Sequence, residues 1–202
     1  MTTQLLTLTP LECDKLLRYL QFPPDSNAPP RIHHRNYTMS LLMLDAGCRV
    51  GELIQLRQEQ LWFADVPVGA LSIDKDQAKN KRERTIPITS RLHDAIEQMH
   101  RFWWITHTDY GTPYAFYSTV PWQPLTVRQI QRIIKSASAK SISREIHPHL
   151  LRHTFATRLM GKTSMRVVQQ LLGHSSITST QIYTHPNNED YQEAIDALNH
   201  KQ

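Results

Sequence analysis

Cysteine is scarce in this 202-residue chain: Cys13 and Cys48 are the only two, too few for a disulfide framework and without zinc-like spacing. Glycine is scarce as well, at six residues, and no low-complexity tract appears. With 40% hydrophobic residues, this argues against disorder and for a packed core. No apolar run approaches the ~20 residues needed to cross a bilayer. The opening Met1-Thr2-Thr3-Gln4 has neither the basic nor the apolar segment of a secretory leader, so a cytoplasmic protein is expected. Acids are missing from one long stretch: between Gly111 and Asn188 there are nine Lys or Arg and one acid, Glu145. In a chain of net charge +5, such a block favours a polyanionic partner. The acids that follow, Glu189, Asp190, Glu193 and Asp196, suggest a second face for protein.

What is present reads as helices around a short sheet. Thr9-Pro10-Leu11-Glu12 is a capping box with proline at the first helical position. It predicts a helix to about Leu20, with Leu11, Leu16, Leu17 and Leu20 on its apolar face. Pro23, Pro24, Pro29 and Pro30 predict an extended loop, with His33 and His34 solvated in it. A buried helix is expected from about Asn36 through Leu44, closed by Gly47 at C′, and another from near Arg49 with Val50, Leu53, Ile54 and Leu56 inward. Val68 to Ile73 and Arg84 to Ile88 read as two strands joined by a charged stretch holding Lys79, Lys81, Arg82 and Arg84. Helices follow at about Ser90 to Trp104, after the capping box Thr126-Val127-Arg128-Gln129, at His149 to Met160 and at Ser164 to Leu172. A proline- and aromatic-rich loop fills Tyr110 to Pro124, and the four tryptophans read as core and loop anchors. A short helical piece is expected around Thr178 to Tyr183, then a tail helix from Asn188 with Tyr191, Ala194, Ile195 and Leu198 on one stripe. The fold class is mainly α with a small antiparallel β-sheet: a domain over 1–186 and a tail over 187–202.

Five side chains combine into one chemistry. Tyr183 stands nine residues after His174; His149 and Arg152 lie upstream; Arg49 sits far upstream in Ala46-Gly47-Cys48-Arg49-Val50-Gly51-Glu52-Leu53. Two arginines, two histidines and a tyrosine suit attack by a phenol on a phosphodiester. Guanidinium forks stay charged and grip the non-bridging oxygens where negative charge gathers. Imidazoles handle protons and hydrogen bonds, and a tyrosyl ester conserves the bond energy without ATP or metal. A lysine on a hairpin supplies a general acid for the leaving oxygen. The histidine pair His149 and His153, four residues apart, invites a metal reading; yet no HExxH pattern or third carboxylate accompanies it and Arg152 lies between, so neither metal nor cofactor is expected.

These segments resemble the catalytic domain of the tyrosine recombinases, the phage integrase and Xer-type family. The stretch from Ala46 to Leu53 is similar to the family's first box, and the resemblance makes Arg49 the first catalytic arginine with Glu52 its acidic neighbour. Lys79-Asn80-Lys81-Arg82-Glu83-Arg84-Thr85-Ile86-Pro87-Ile88 looks like the family's hairpin, which puts the general acid at Lys79, with Lys81 its nearest rival; Ala78 and Asn80 replace the glycine usual beside it. Pro148 to Thr157 resembles the second box, implying roles for His149 and Arg152, and Leu172-Gly173-His174 with Gln181 to His185 the last, implying His174 and the nucleophile Tyr183. The implied activity is site-specific recombination of double-stranded DNA (integration, excision or inversion) through a 3′-phosphotyrosyl link. The implied assembly is a homo-tetramer on paired sites, with the tail docking in cis or in trans and accessory DNA-binding proteins possible.

Most members carry a separate DNA-binding domain ahead of this one. Only 48 residues precede Arg49, and they read as the start of the catalytic domain, as in the short invertases that flip a fimbrial promoter. Weaker intrinsic DNA affinity is the expected consequence, because fewer phosphates are neutralised. The alternatives are a DNA-binding regulator or accessory subunit that keeps the fold, and an enzyme that nicks and closes supercoiled DNA without strand exchange.

Overall fold

The computed structural model describes residues 7–78, 82–104, 114–120 and 122–173. Helix α1 (Pro10–Gln21) starts at the expected capping box: the Thr9 hydroxyl accepts from the Glu12 N–H at 3.2 Å and the Glu12 carboxylate accepts from the Thr9 N–H at 2.8 Å. Its buried face is Cys13, Leu16, Leu17 and Leu20, whereas Leu11 points to solvent. Helix α2 (Pro30–Asp45) begins earlier than the proline pattern suggested. Pro30 takes the first helical turn, where its missing N–H costs nothing. His33 and His34 therefore belong to a helix, not to a solvated loop. His33 Nε2 lies 3.0 Å from the Ala28 carbonyl oxygen, and the His34 ring stacks on Phe102 at 4.9 Å.

Helix α2 is the centre of the molecule. Met39, Leu41, Leu42, Met43 and Leu44 are all buried, and the helix packs against α1, α4 (Ser90–Met99) and α6 (Pro148–Met160). Helix α5 (Val127–Ile142) lies against α1, opened by the second capping box on Thr126 and Gln129. After α4 the chain passes into a π-helical turn, His100–Trp104, where one unbroken helix was expected; Trp103 and Trp104 enter the core, and Trp122 is exposed.

Among the described residues the small antiparallel β structure is split into two ribbons. β1 (Trp62–Phe63) and β2 (Val66–Pro67) form a short hairpin turned by Ala64 and Asp65, both at positive φ, and Trp62 stacks on His100 at 3.8 Å. β3 (Ala70–Ile73) and β4 (Arg84–Pro87) pair antiparallel with Ala70 opposite Pro87 and Ile73 opposite Arg84. Strand side chains alternate between faces, so Leu71 and Ile73 on β3, and Arg84 and Ile86 on β4, turn inward together. The small helix α3 (Val50–Leu53) touches α2 and α5, and α7 (Met165–Leu172) closes the molecule against β4 and α6. Among the described residues, no helix is long and apolar enough to cross a membrane. The short piece around Thr178 to Tyr183 and the tail from Asn188 lie outside the described residues.

Candidate active site

Two glycine turns set the frame. Gly47 ends α2 at φ +62°, and an added Cβ would lie 2.5 Å from the Phe155 ring. Gly173 ends α7 at φ +63°, where an added Cβ would lie 3.1 Å from Arg84 Cδ. Only glycine meets both demands, a left-handed backbone and close approach of a neighbour. The Gly47 turn leads directly into Arg49, the N-cap residue of α3.

Arg49, Glu52, His149 and Arg152 line one cleft of about 630 Å³, with Gln77 and Ala78 on its β side. Pro148 and His149 occupy the first turn of α6, and Arg152 follows one turn later, so His149 and Arg152 share the face toward α3. Arg152 is nearly sealed, at 2% exposure, and its guanidinium donates to the Gly47 carbonyl and, at 2.7 Å, to the Leu172 carbonyl. It thereby ties the ends of α2 and α7 to α6. Burial and the charge of Arg49 pull its pKa down to about 10, which still leaves it cationic at neutral pH.

The carboxylate of Glu52, 1% exposed, is the hub of the site. Its Oε1 accepts from Arg49 Nη1 and from Arg84 Nη1, each at 2.9 Å. Its Oε2 accepts from the Arg49 backbone N–H at 2.7 Å and from Arg84 Nη2 at 2.6 Å. Burial pushes the Glu52 pKa up, but the hydrogen bonds and charge of Arg84 outweigh it and hold the group below the usual carboxylate range. Three guanidiniums thus surround one buried carboxylate, and the excess charge on the cleft floor is positive. His149, exposed on the wall, has its pKa lowered by partial burial, then by Arg152 and Arg49, so its imidazole is neutral near pH 7. The buried thiol of Cys48 is pushed up to about 12, chiefly by burial, and stays neutral.

The structure therefore brings Arg49, His149 and Arg152 together, from segments about a hundred residues apart in sequence. Lys79, His174 and Tyr183 lie outside the described residues, as does Lys81. Arg84, which the sequence placed only in a charged hairpin, is buried and paired with Glu52 behind the cleft. The signal that finds it is period two: Arg84 stands two residues before the core residue Ile86 and must share its face. Of the histidines once weighed as a metal pair, His153 is buried and His149 is not. Among the described residues no group of three His, Cys, Asp or Glu gathers that could hold a metal.

A guanidinium-floored cleft with a neutral imidazole on its wall has the chemistry to hold a phosphate group or another oxyanion. The comparisons narrow this further. The model of the phage integrase family matches residues 8–190, and the chain belongs to that family. It is 37% identical over 194 residues to a tyrosine recombinase of Pseudothermotoga lettingae, covering 95% of this chain and 59% of that relative. It is 31% identical over 177 residues to the tyrosine recombinase XerC of Xylella fastidiosa, covering 87% of this chain and 55% of the relative. The chain thus spans between half and two thirds of the length of these curated relatives. Among solved structures, the XerA recombinase aligns over 98% of this chain and 64% of its own, with a TM-score of 0.71 at 24% identity. The XerH site-specific recombinase bound to its difH substrate aligns over 98% of this chain and 56% of its own, with a TM-score of 0.72 at 21% identity. The helical body with its small ribbons is therefore the fold of tyrosine recombinase catalytic domains.

Proposed function

We propose that this chain is the catalytic part of a site-specific DNA recombinase that cuts and rejoins strands through a 3′-phosphotyrosyl intermediate. The observation that carries the reading is the convergence of Arg49, Arg152 and His149 on one positively charged cleft in this fold. Ala78, the sequence neighbour of Lys79, lines that cleft, and Gly173, the neighbour of His174, follows the Leu172 carbonyl held by Arg152. In this proposal the Tyr183 oxygen attacks a scissile phosphate while its proton passes toward His149. A bond forms from tyrosine to phosphorus, and the bond from phosphorus to the 5′ oxygen breaks. Lys79 protonates that leaving oxygen, and Arg49, Arg152 and His174 hold the non-bridging oxygens. Attack by the 5′-hydroxyl of a partner strand reverses the step with exchanged partners.

The test is covalent capture. A pool of nicked duplexes of randomised sequence, incubated with the protein, yields adducts stable to boiling in detergent. Tyr183→Phe abolishes them while DNA binding persists, because one hydroxyl is lost. A substrate with sulfur in place of the 5′ leaving oxygen needs no general acid, and it restores Lys79→Ala but not Arg152→Ala. An adduct that survives Tyr183→Phe sinks the assignment. Binding with no adduct from the natural chain favours instead a regulator that keeps the fold.

We further propose that residues 1–186 form the catalytic domain and that the tail over 187–202 docks on a second copy, in a tetramer on paired DNA sites. The support is the apolar stripe of Tyr191, Ala194, Ile195 and Leu198 in a segment that is otherwise polar apart from Ala197. Changing Ile195 and Leu198 to Ser abolishes paired-site complexes in sedimentation while single-site cleavage continues. Loss of helical signal and of folding in that double variant refutes docking in trans.

A further inference from the structure

Arg84 poses a question that stability does not answer. It reaches inward from β4 to take both oxygens of Glu52 on α3, and its own side chain is 3% exposed. Its Nε finds no acceptor among the described residues. A buried ion pair is, on balance, no more stabilising than well-packed apolar residues of the same volume, because both charges are desolvated. A leucine or methionine facing an apolar partner would serve the fold as well.

The geometry at Glu52 points to a different purpose. A carboxylate beside a single arginine forms a two-pronged pair and neutralises it. Here the two-pronged partner is Arg84, and Arg49 is left with one side-chain bond to Glu52, at 2.9 Å, plus the cap on its backbone N–H. Arg49 keeps 21% of its side chain exposed in the cleft, whereas Arg84 does not line the cleft. Resting on the recombinase reading above, we propose that Arg84 is a positioning residue for cleavage: by saturating Glu52 it leaves the charge of Arg49 available to the scissile phosphate. Without Arg84, Glu52 closes on Arg49 as a neutral pair and draws its guanidinium from the cleft.

The experiment compares single-turnover cleavage of a duplex isolated by covalent capture, built once with the ordinary scissile phosphate and once with a neutral methylphosphonate there. Arg84→Met slows cleavage of the phosphate on the order of 100-fold, the scale of losing one charge-stabilising donor. On the methylphosphonate, whose transition state carries one negative charge fewer than that of the phosphate, the deficit shrinks well below that. A merely structural role slows both substrates alike. Because Arg84→Met strips the buried Glu52 of its two-pronged partner, the double variant Arg84→Met/Glu52→Gln, which removes that buried carboxylate charge as well, carries the test if the single variant fails to fold. It recovers most of the rate on the phosphate. Equal slowing on both substrates, or a folded double variant still on the order of 100-fold slower than the natural chain on the phosphate, overturns the proposal while the recombinase reading stands. Absence of any adduct from the natural chain sinks both.

Discussion

Around α2 the molecule is held by volume; around Glu52 it is held by direction. The first region buries Met39, Leu41, Leu42, Met43 and Leu44 against α1, α4 and α6, and its contacts are short-ranged and non-directional. The second buries Glu52, Arg84 and Arg152 within the same body, held by directional bonds: Arg84 donates to the Glu52 carboxylate, and Arg152 to the carbonyls of Gly47 and Leu172. Gly47 is the hinge between them: it ends the apolar helix, and its carbonyl receives the Arg152 guanidinium. The difference is one of tolerance. An apolar centre accepts another side chain of similar volume at less than about 1.5 kcal/mol. A charged centre that loses one partner strands another in low dielectric, at several kcal/mol.

The largest effect expected of this comparison is on rate. In the proposed mechanism Arg152→Ala slows cleavage on the order of 100-fold or more, because it removes a donor aimed at the transition state. It also lowers stability by roughly 1–3 kcal/mol, since the carbonyls of Gly47 and Leu172 lose a buried donor. Arg49→Ala slows cleavage comparably but shifts the unfolding midpoint little, because its side chain is partly exposed and its fold contact is one bond to Glu52. Leu42→Ala inverts the pattern, with about 2–5 kcal/mol lost in denaturant unfolding and cleavage by the folded fraction retained. Equal stability losses for Arg49→Ala and Arg152→Ala would break the comparison, as would a Leu42→Ala variant that unfolds normally.

The smallest effect is on pH. Burial, Arg152 and Arg49 hold the His149 pKa below 6.5, so the imidazole is neutral, and able to accept a proton, down to lower pH than an ordinary histidine. His149 therefore does not limit cleavage above pH 6.5, and cleavage falls as pH drops through its lowered value. The stability linkage has the same sign. The unfolded chain protonates first, so the contribution of this group is complete above 6.5 and is lost as pH falls through the folded value. Arg49→Ala removes one of the lowering charges and moves the acidic limb of the cleavage profile upward. A limb that stays in place shows that His149 is not the group titrating.

The capping boxes at Thr9 and Thr126, the buried run of α2 and the glycine after it were all legible in the sequence, because each is a local preference written in adjacent residues. Pro30 was misjudged for a physical reason: proline breaks a helix in its interior and suits its first turn, and the residue alone does not say which. The second ribbon escaped because Ala64 and Asp65, not glycine, take its left-handed turn. The π-turn at His100–Trp104 left no periodic mark distinct from the helix before it.

The sequence by itself determined the family, the order of the boxes and the identity of the residues offered for chemistry: spacing along a chain is preserved in the one-dimensional record. It did not determine which charges are exposed. Lys79, Lys81, Arg82 and Arg84 stand in six consecutive positions and look alike as letters, yet Arg82 is exposed and Arg84 is sealed against Glu52. That division follows from where the ribbon begins, since β4 starts at Arg84 and Arg82 precedes it, and from Glu52 of α3 standing against Arg84, a contact between residues 32 apart. Coulomb energy depends on distance and on the surrounding dielectric, and both are set only when α3, α6 and β4 are packed around one carboxylate.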